Sequence, residues 1–202
     1  MIATQTAPAE RPSASVRRGQ ILAAAEECFR VHGFHAASMA EIAATAKMSP
    51  GLIYRYFSSK EHIIAAIVEQ GVRESMRDAD ALEAEPGEIF PALFKLLREH
   101  ILERADKGKC ALFLEMMAEA ARNPQVAQLV MDARARIARR LADLAASAAP
   151  GRWSAEDIAG KVDLLLILVD SVAFKAATDA ALDREATAEQ IIGYARRIFE
   201  QT

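Results

Sequence analysis

Apolar residues recur at intervals of three and four along nearly the whole chain, and no segment alternates as a half-buried strand does. The first such stretch, residues 16–32, ends at Gly33 and places on one face Ile21, Leu22, Ala25, Cys28 and Phe29. Short polar or breaker segments separate the later stretches, so neighbouring helices should be largely antiparallel. The sequence therefore predicts an all-α fold of about nine helices and no sheet.

Capping residues indicate where most of these helices begin. Asn123 precedes Pro124 as an N-cap residue precedes a proline at the first helical position. Two later helices begin with the spacing of a capping box, at Ser154-x-x-Asp157 and Thr187-x-x-Gln190. From residue 59 onward the predicted helices span about 59–84, 88–105, 109–122, 124–148, 154–181 and 187–200, with breaks at Gly108 and Pro86-Gly87.

Composition indicates a protein that does not enter a membrane. The chain has 202 residues, 52% of them hydrophobic, which is enough to bury a sizeable core. The longest apolar run, residues 162–173, contains Asp163 and Asp170 and falls short of the roughly 18 residues of a spanning helix. Cys28 and Cys110 lie in apolar helical patterns and are predicted to be buried thiols. A cytoplasmic location is expected.

Charge is distributed unevenly between two parts of the chain. Residues 1–62 carry seven Lys or Arg and five Asp or Glu, a net charge of +2, whereas the remainder carries −5. This asymmetry is compatible with a nucleic-acid-binding head on an acidic body. We predict a flexible N-terminal arm at residues 1–14, a head at 15–62 and a body at 63–202.

Residues 38–60 have the pattern of a helix-turn-helix. Ser38 and Glu41 form a capping box for a helix over residues 39–46, whose apolar face carries small side chains that let a second helix approach closely. Residues 47–49 have the length of the turn. Ser49 then caps a second helix, and Pro50 takes its first position.

The second helix of this motif has an unusual outer surface. Ile53 and Phe57 are four residues apart and can both face the core. The remaining positions combine a glycine, an apolar side chain, an arginine and two phenols, namely Pro50, Gly51, Leu52, Tyr54, Arg55 and Tyr56. These residue types can contact guanine, a thymine methyl group and phosphate oxygens. Periodicity alone leaves open that the aromatic residues belong to an ordinary core.

Lys60 is the next candidate contact. Ser58-x-x-Glu61 is predicted to be another capping box, which places Lys60 in the first turn of the following helix. A cation there opposes the helix dipole, and this position is more favourable if a phosphate docks at that helix end.

The run from Gly51 to Glu61, together with ILAAAEECFRVHGF at residues 21–34, resembles the N-terminal signature of the TetR family of transcriptional regulators. The resemblance covers roughly residues 15–70. It implies that Pro50, Gly51, Leu52 and Arg55 lie at base edges, that Tyr54 and Tyr56 contact the backbone and neighbouring bases, and that Ser38 and Lys60 meet phosphates. The family usually has glycine in the turn where this chain has Lys47. A left-handed residue there costs about 1 kcal/mol without glycine, so we expect a turn that is either strained or slightly different. Alternatively, Lys47 adds a phosphate contact.

The body carries two weaker signals. TetR-like proteins usually place a ligand cavity and a dimer interface in this region. The candidate pocket residues form a soft aromatic and thioether set with one acid: Phe94, Leu97, Ile101, Phe113, Met116, Met117, Asp170 and Phe174. Residue by residue, an ordinary core explains them better than a pocket does. The candidate dimer stripe on the last two helices consists of Leu165, Val169, Ile191 and Ile198.

Asp170 interrupts an apolar helix, and a buried acid needs a partner. A cationic ligand, an arginine or lysine across the dimer interface, or a solvent-lined cavity would each serve.

No catalytic motif, phosphate-binding glycine loop or metal-ligand spacing occurs, so we expect neither an enzyme nor a metal or cofactor. The sequence favours a homodimeric repressor that binds a palindromic DNA operator and is released by a small-molecule effector. The alternative is a helical interaction or architectural protein with weak or constitutive DNA binding and no inducer. An enclosed cavity in the body would favour the repressor, and a solid core would favour the alternative.

Overall fold

Nine α-helices and one 3-10 turn contain most of the residues that the computed structural model describes, which are 13–84 and 89–200. No strand occurs within those ranges, and the predicted all-α fold is confirmed. The helices are α1 Ala14–Ala36, α2 Met39–Thr45, α3 Pro50–Tyr54, α4 Lys60–Asp80, α5 Ile89–Arg104, α6 Lys107–Ala120, α7 Pro124–Ala148, α8 Ala155–Thr178 and α9 Arg184–Glu200. The 3-10 turn, Ala81–Ala84, follows α4.

Several helix ends lie where the sequence predicts them. Gly33 has a φ of 76° and interrupts α1, after which one more turn continues to Ala36. The Asn123 side chain accepts from the first amides of α7, and Pro124 is the first helical residue. Ser154 forms its predicted capping box at the start of α8. Side-chain acceptors at these positions satisfy amides that have no partner inside the helix.

Two predicted helix starts are wrong because a neighbouring aspartate is the cap. Gly108 lies within α6, and the Asp106 carboxylate caps that helix by accepting from the Gly108 amide at 3.0 Å. Thr187 is buried within α9, which begins earlier, and the Asp183 carboxylate accepts from the Ala186 amide at 3.0 Å. An ionised carboxylate caps a helix as well as a hydroxyl does.

One further helix end differs from the prediction by a few residues, and two predicted features fall outside the described residues. Helix α8 ends at Thr178, three residues before the predicted 181. The predicted stop at Pro86-Gly87 and most of the N-terminal arm lie outside the described residues.

The chain divides into a first unit that ends at Ile63 and a second that begins at Ile64. The first unit buries an apolar core in which α1, α2 and α3 each take part, through side chains such as Phe29, Ile42 and Ile53. Small residues on the facing surfaces, including the buried Ala25 and Ala43, let these short helices pack closely.

The second unit is built around α8, which contacts α5, α6, α7 and α9. One stripe of α8 is buried in the main core: Ile158, Val162, Leu165, Val169 and Val172. An aromatic group at one edge of this core joins Phe90, Phe94, Trp153 and Phe199, with ring centroids 5.6–6.2 Å apart. None of the helices in the described ranges is both long and apolar enough to cross a membrane.

The predicted dimer stripe lies inside the protomer. Leu165, Val169 and Ile191 are between 1% and 8% exposed, and Ile198 is partly buried against the same core. Side chains that fill the core of one chain leave little surface for a second chain, and the place of these four residues in a dimer interface stays a prediction. The large apolar residues that α8 and α9 expose are instead Leu164, Ile167, Phe174 and Tyr194.

Candidate nucleic-acid interface

Helix α2 begins with a reciprocal capping box. The Glu41 amide donates to the Ser38 hydroxyl at 3.1 Å, and the Ser38 amide donates to Glu41 Oε2 at 2.7 Å. The bonds from Ser38, first the backbone amide and then the side chain, lower the pKa of the Glu41 carboxyl. The box fixes the start of α2 and leaves Ser38 exposed.

The turn between α2 and α3 contains a left-handed residue, which is the strained of the two alternatives expected for Lys47. Lys47 has a φ of 53° and is the one non-glycine residue with positive φ in the described ranges. The Lys47 amide donates to the Ala44 carbonyl at 3.0 Å, and the Met48 amide donates to the Ala43 carbonyl at 2.9 Å. The backbone thus adopts the conformation that glycine would favour, with an exposed lysine in its place.

Helix α3 is short and is fixed at both ends. The Ser49 hydroxyl accepts from the Leu52 amide at 3.3 Å, and Pro50 occupies the first turn, as predicted. Ile53 is 0% and Phe57 is 2% exposed, which confirms that both face the core. The Arg18 guanidinium lies 4.4 Å from the Phe57 ring centroid and covers it.

These anchors leave the predicted contact residues on the outside of α3. Pro50, Gly51, Tyr54 and Arg55 are exposed, while Leu52 and Tyr56 are half-buried. A Cβ atom added at Gly51 would meet nothing within 4 Å in this chain. The chain's own packing therefore does not require glycine there, and the backbone is open to a close partner.

The start of α4 differs from the prediction by one residue. The Ser59 hydroxyl, rather than that of Ser58, accepts from the His62 amide at 3.3 Å, and the Ser58 hydroxyl pairs with His62 Nδ1. The Ser59 hydroxyl also bonds the Glu61 carboxylate and lowers the pKa of that carboxyl. Lys60 is nonetheless in the first turn, as expected.

The Lys60 ammonium has partners within the unit. Its Nζ donates to the carbonyl oxygens of Phe34 at 2.6 Å and Ala37 at 2.7 Å, with His35 O at 3.2 Å. It also lies 4.6 Å from the centroid of the Phe34 ring. A cation that is unfavourable at the start of α4 is thus favourable beside the carbonyls that end α1. The phosphate contact stays a prediction, but it is no longer needed to explain the position.

A cavity of about 660 Å³ lies in the second unit among α4, α5, α6, α7 and α8. Five of the eight predicted pocket residues line it: Leu97, Phe113, Met116, Met117 and Asp170. The other three do not. Phe94 and Ile101 are buried in the core, and Phe174 is 67% exposed.

Asp170 finds its partners within the chain. Arg104 Nη2 lies 3.5 Å from Asp170 Oδ1, and Arg134 Nη1 donates to Asp170 Oδ2. Both arginines also line the cavity. Sequence reasoning missed them because partners 66 and 36 residues away have no local signal. Among the residues described, no group of three or more His, Cys, Asp or Glu could hold a metal ion.

Known proteins resemble this chain most clearly in its first unit. The model of bacterial regulatory proteins of the tetR family matches residues 21–67. The regulator UidR of Escherichia coli K12 is 39% identical over 114 residues, which is 56% of each chain. The repressor AcnR of Corynebacterium diphtheriae is 34% identical over 76 residues, 32% of this chain and 40% of its own length. The chain thus spans about half the length of the first curated relatives it matches, and these relatives are regulators rather than enzymes.

Solved structures extend the similarity over nearly the whole chain. GusR of Salmonella enterica superposes with a TM-score of 0.75 at 29% identity, covering 94% of this chain and 98% of its own. A regulator from Pseudomonas aeruginosa PAO1 superposes with a TM-score of 0.78, covering 95% of this chain and 94% of its own, but its 18% identity speaks only for the fold. Residues 21–67 thus carry the signature of the tetR family of bacterial regulatory proteins, and the helical fold is similar to that of GusR over nearly the whole chain.

Proposed function

We propose that this chain is a sequence-specific DNA-binding transcriptional regulator whose α3 enters the major groove. The observation that carries the proposal is the division of α3 between two faces. Ile53 and Phe57 anchor it in the core, while Gly51, Tyr54 and Arg55 remain exposed around an open backbone. A solvated helix gains nothing from this combination of residues, whereas a groove uses each of them.

The candidate contact residues divide by chemistry into two sets. Gly51, Leu52 and Arg55, with Pro50 beside them, suit base edges: the guanidinium can bond guanine in a bidentate manner, and the leucine can meet a thymine methyl group. Phenols, hydroxyls and ammonium groups suit phosphates, and the set in this role is Ser38, Lys47, Tyr54, Tyr56 and Lys60.

A homodimer would present two such helices to a palindromic operator, with half-sites one or more helical turns apart. The exposed side chains of Leu164, Ile167 and Phe174 recur at helical spacing along α8. Tyr194 of α9 adds an exposed aromatic ring. This apolar surface supports self-association through the last two helices.

The cavity supports a regulator that responds to a small molecule rather than an architectural protein without an inducer. Its volume of about 660 Å³ lies within the range of about 300–1,000 Å³ that small-molecule sites occupy. A ligand that binds one conformation of the dimer more tightly shifts the population toward it, and repression ends if that conformation does not fit the operator. Binding to chromosomal DNA would place the protein in the cytoplasm.

The function is tested with an operator selected by the full-length protein from a random duplex library. Arg55→Ala should lose discrimination at one base-pair position per half-site, costing about 1–3 kcal/mol on the selected site. Titrations against single-substituted operators measure this loss. The control is Arg30→Ala, because Arg30 is an exposed arginine of α1 that pairs with Glu27, and it should leave every affinity unchanged. Equal weakening by Arg55→Ala on all sequences would refute base reading by Arg55, and failure to select any sequence would refute the function.

A further inference from the structure

One wall of the cavity carries two arginines around a single acid. Arg104 of α5 and Arg134 of α7 both contact the carboxylate of Asp170, which lies on α8. Their side chains are only 30% and 34% exposed, and that of Asp170 is 31% exposed. Arg134 reaches outward to Asp163, but the Asp163 side chain is 65% exposed, so water screens that contact. The cluster therefore has an excess of positive charge on the cavity side.

Three other charged residues of the lining take part in ion pairs. Glu103 pairs with Lys109, and Arg140 pairs with Asp80 at 2.9 Å. Across the whole lining five basic residues stand against four acidic ones, so a small excess of positive charge remains.

Arg104 can donate hydrogen bonds to a further anionic partner. Its guanidinium lies 3.8 Å from the Phe113 ring centroid, so the group packs against that ring. Its contact with Asp170 is a single bond at 3.5 Å, the outer limit of a hydrogen bond. A guanidinium has five donors in a planar fork, so most of its capacity for a carboxylate remains.

The apolar part of the lining lies beside this cluster. Phe113, Met116 and Met117 of α6 face the same cavity as Leu97 and Val169. Thioether and aromatic side chains adapt to an apolar body of variable shape. A cationic head group would have to approach Asp170 between two guanidinium groups, and like-charge repulsion opposes that approach.

We propose that the cavity binds an anionic amphiphile, with its carboxylate on Arg104 and its apolar body against the α6 side chains. This inference rests on the proposed function, in that such a ligand would be the effector. Partial burial adds to the argument. Desolvation lowers the pKa of Arg104, and the negative charges of Asp170 and Glu103 oppose this shift only in part. The arginine nevertheless remains charged at neutral pH. A desolvated cation gains more from an added anion than an exposed one does.

The test uses three probes that share an eight-carbon chain and differ in head-group charge: octanoate, 1-octanol and octyltrimethylammonium. Isothermal titration of the full chain, without DNA, measures each affinity. We expect saturable binding of octanoate at least about tenfold tighter than that of either other probe. Equal binding of octanol, preference for the ammonium, or no saturable binding of octanoate would overturn the proposal.

Variants then assign the head-group site. Arg104→Met retains an apolar stem and should reduce the octanoate affinity to that of octanol, while Arg104→Lys should retain part of the preference. The control is Arg98→Met on the same helix, because Arg98 pairs with Glu185 and Glu189 and does not line the cavity. If Arg104→Met does not fold, Asp170→Asn decides, since removing the competing carboxylate should tighten octanoate binding by at least about threefold. Unchanged or weaker binding in Asp170→Asn, or an unchanged preference in a folded Arg104→Met, would overturn the proposal.

DNA binding of the same preparation, titrated separately without probes, distinguishes the two proposals. Head-group preference with no operator binding would support the site and refute the regulator. Operator binding without head-group preference would support the regulator and refute the anionic head-group site.

Discussion

Lys47 holds a backbone conformation that L-amino acids adopt with difficulty. Its φ of 53° brings Cβ close to the following carbonyl oxygen, and its side chain is exposed. We expect Lys47→Gly to raise the free energy of unfolding by about 1 kcal/mol, since glycine adopts this conformation without the Cβ penalty. Denaturant unfolding followed by circular dichroism measures the change.

The matched control replaces an exposed alanine in regular helix within the same unit. Ala23→Gly, in the middle of α1, should lower the free energy of unfolding by about 1 kcal/mol. A loss of stability in both variants would show that the turn is not strained. Measured on DNA, Lys47→Gly should also reduce the salt slope if the ammonium contacts a phosphate.

At the scale of elements, one lysine joins the end of α1 to the start of α4. The Lys60 ammonium supplies donors to carbonyls of Phe34, His35 and Ala37, which follow or flank the kink at Gly33. Lys60→Met keeps the length of the side chain but leaves these carbonyls without the donor. We expect Lys60→Met to lower the free energy of unfolding by about 1–3 kcal/mol. Lys60→Arg should lower it less, because arginine can still donate to these carbonyls.

The same variants test the phosphate hypothesis. If Lys60 acts only as a cap, Lys60→Met should leave the salt dependence of operator affinity unchanged among folded molecules. A salt slope that falls by about one, with stability equal to that of the unchanged chain, would contradict the cap and assign Lys60 to a phosphate.

Helix positions were predictable because their determinants are local. The caps at Ser38, Ser49, Asn123 and Ser154 each lie within three residues of the amides they satisfy. The misplaced starts of α4 and α9 occur where two candidate capping side chains lie near each other in sequence. Which of them becomes the cap depends on the path of the incoming chain, and the sequence pattern does not contain that path.

Which face of α8 is buried could not be read from its sequence. The run LLLILVDSVAF is apolar on several faces of the helix. From the sequence, Leu164 and Ile167 could form the buried stripe as well as Leu165 and Val169 could. Tertiary packing decides between them, and it buries the second pair. The partners of Asp170 were unpredictable for the same reason, since three helices must pack before Arg104 and Arg134 meet it.

At the scale of the whole molecule, the exposed stripe of α8 predicts how two chains associate. Ile167 is 52% exposed, so Ile167→Asp should leave the fold of the protomer intact. In a twofold interface it would place two carboxylates in an apolar contact, where like charges and desolvation cost several kcal/mol. We expect the dimer dissociation constant to rise by at least about 100-fold, which corresponds to about 3 kcal/mol. Sedimentation equilibrium measures it.

The control for Ile167→Asp carries the same change on a different helix. Met131 of α7 is 62% exposed, so Met131→Asp adds an identical charge to the body without touching α8 or α9. It should remain a dimer with unchanged affinity. A dimer that persists in Ile167→Asp but dissociates in Met131→Asp would move the interface to α7. With the predicted outcome, operator affinity should fall in Ile167→Asp alone, because a monomer presents one recognition helix to a site with two halves.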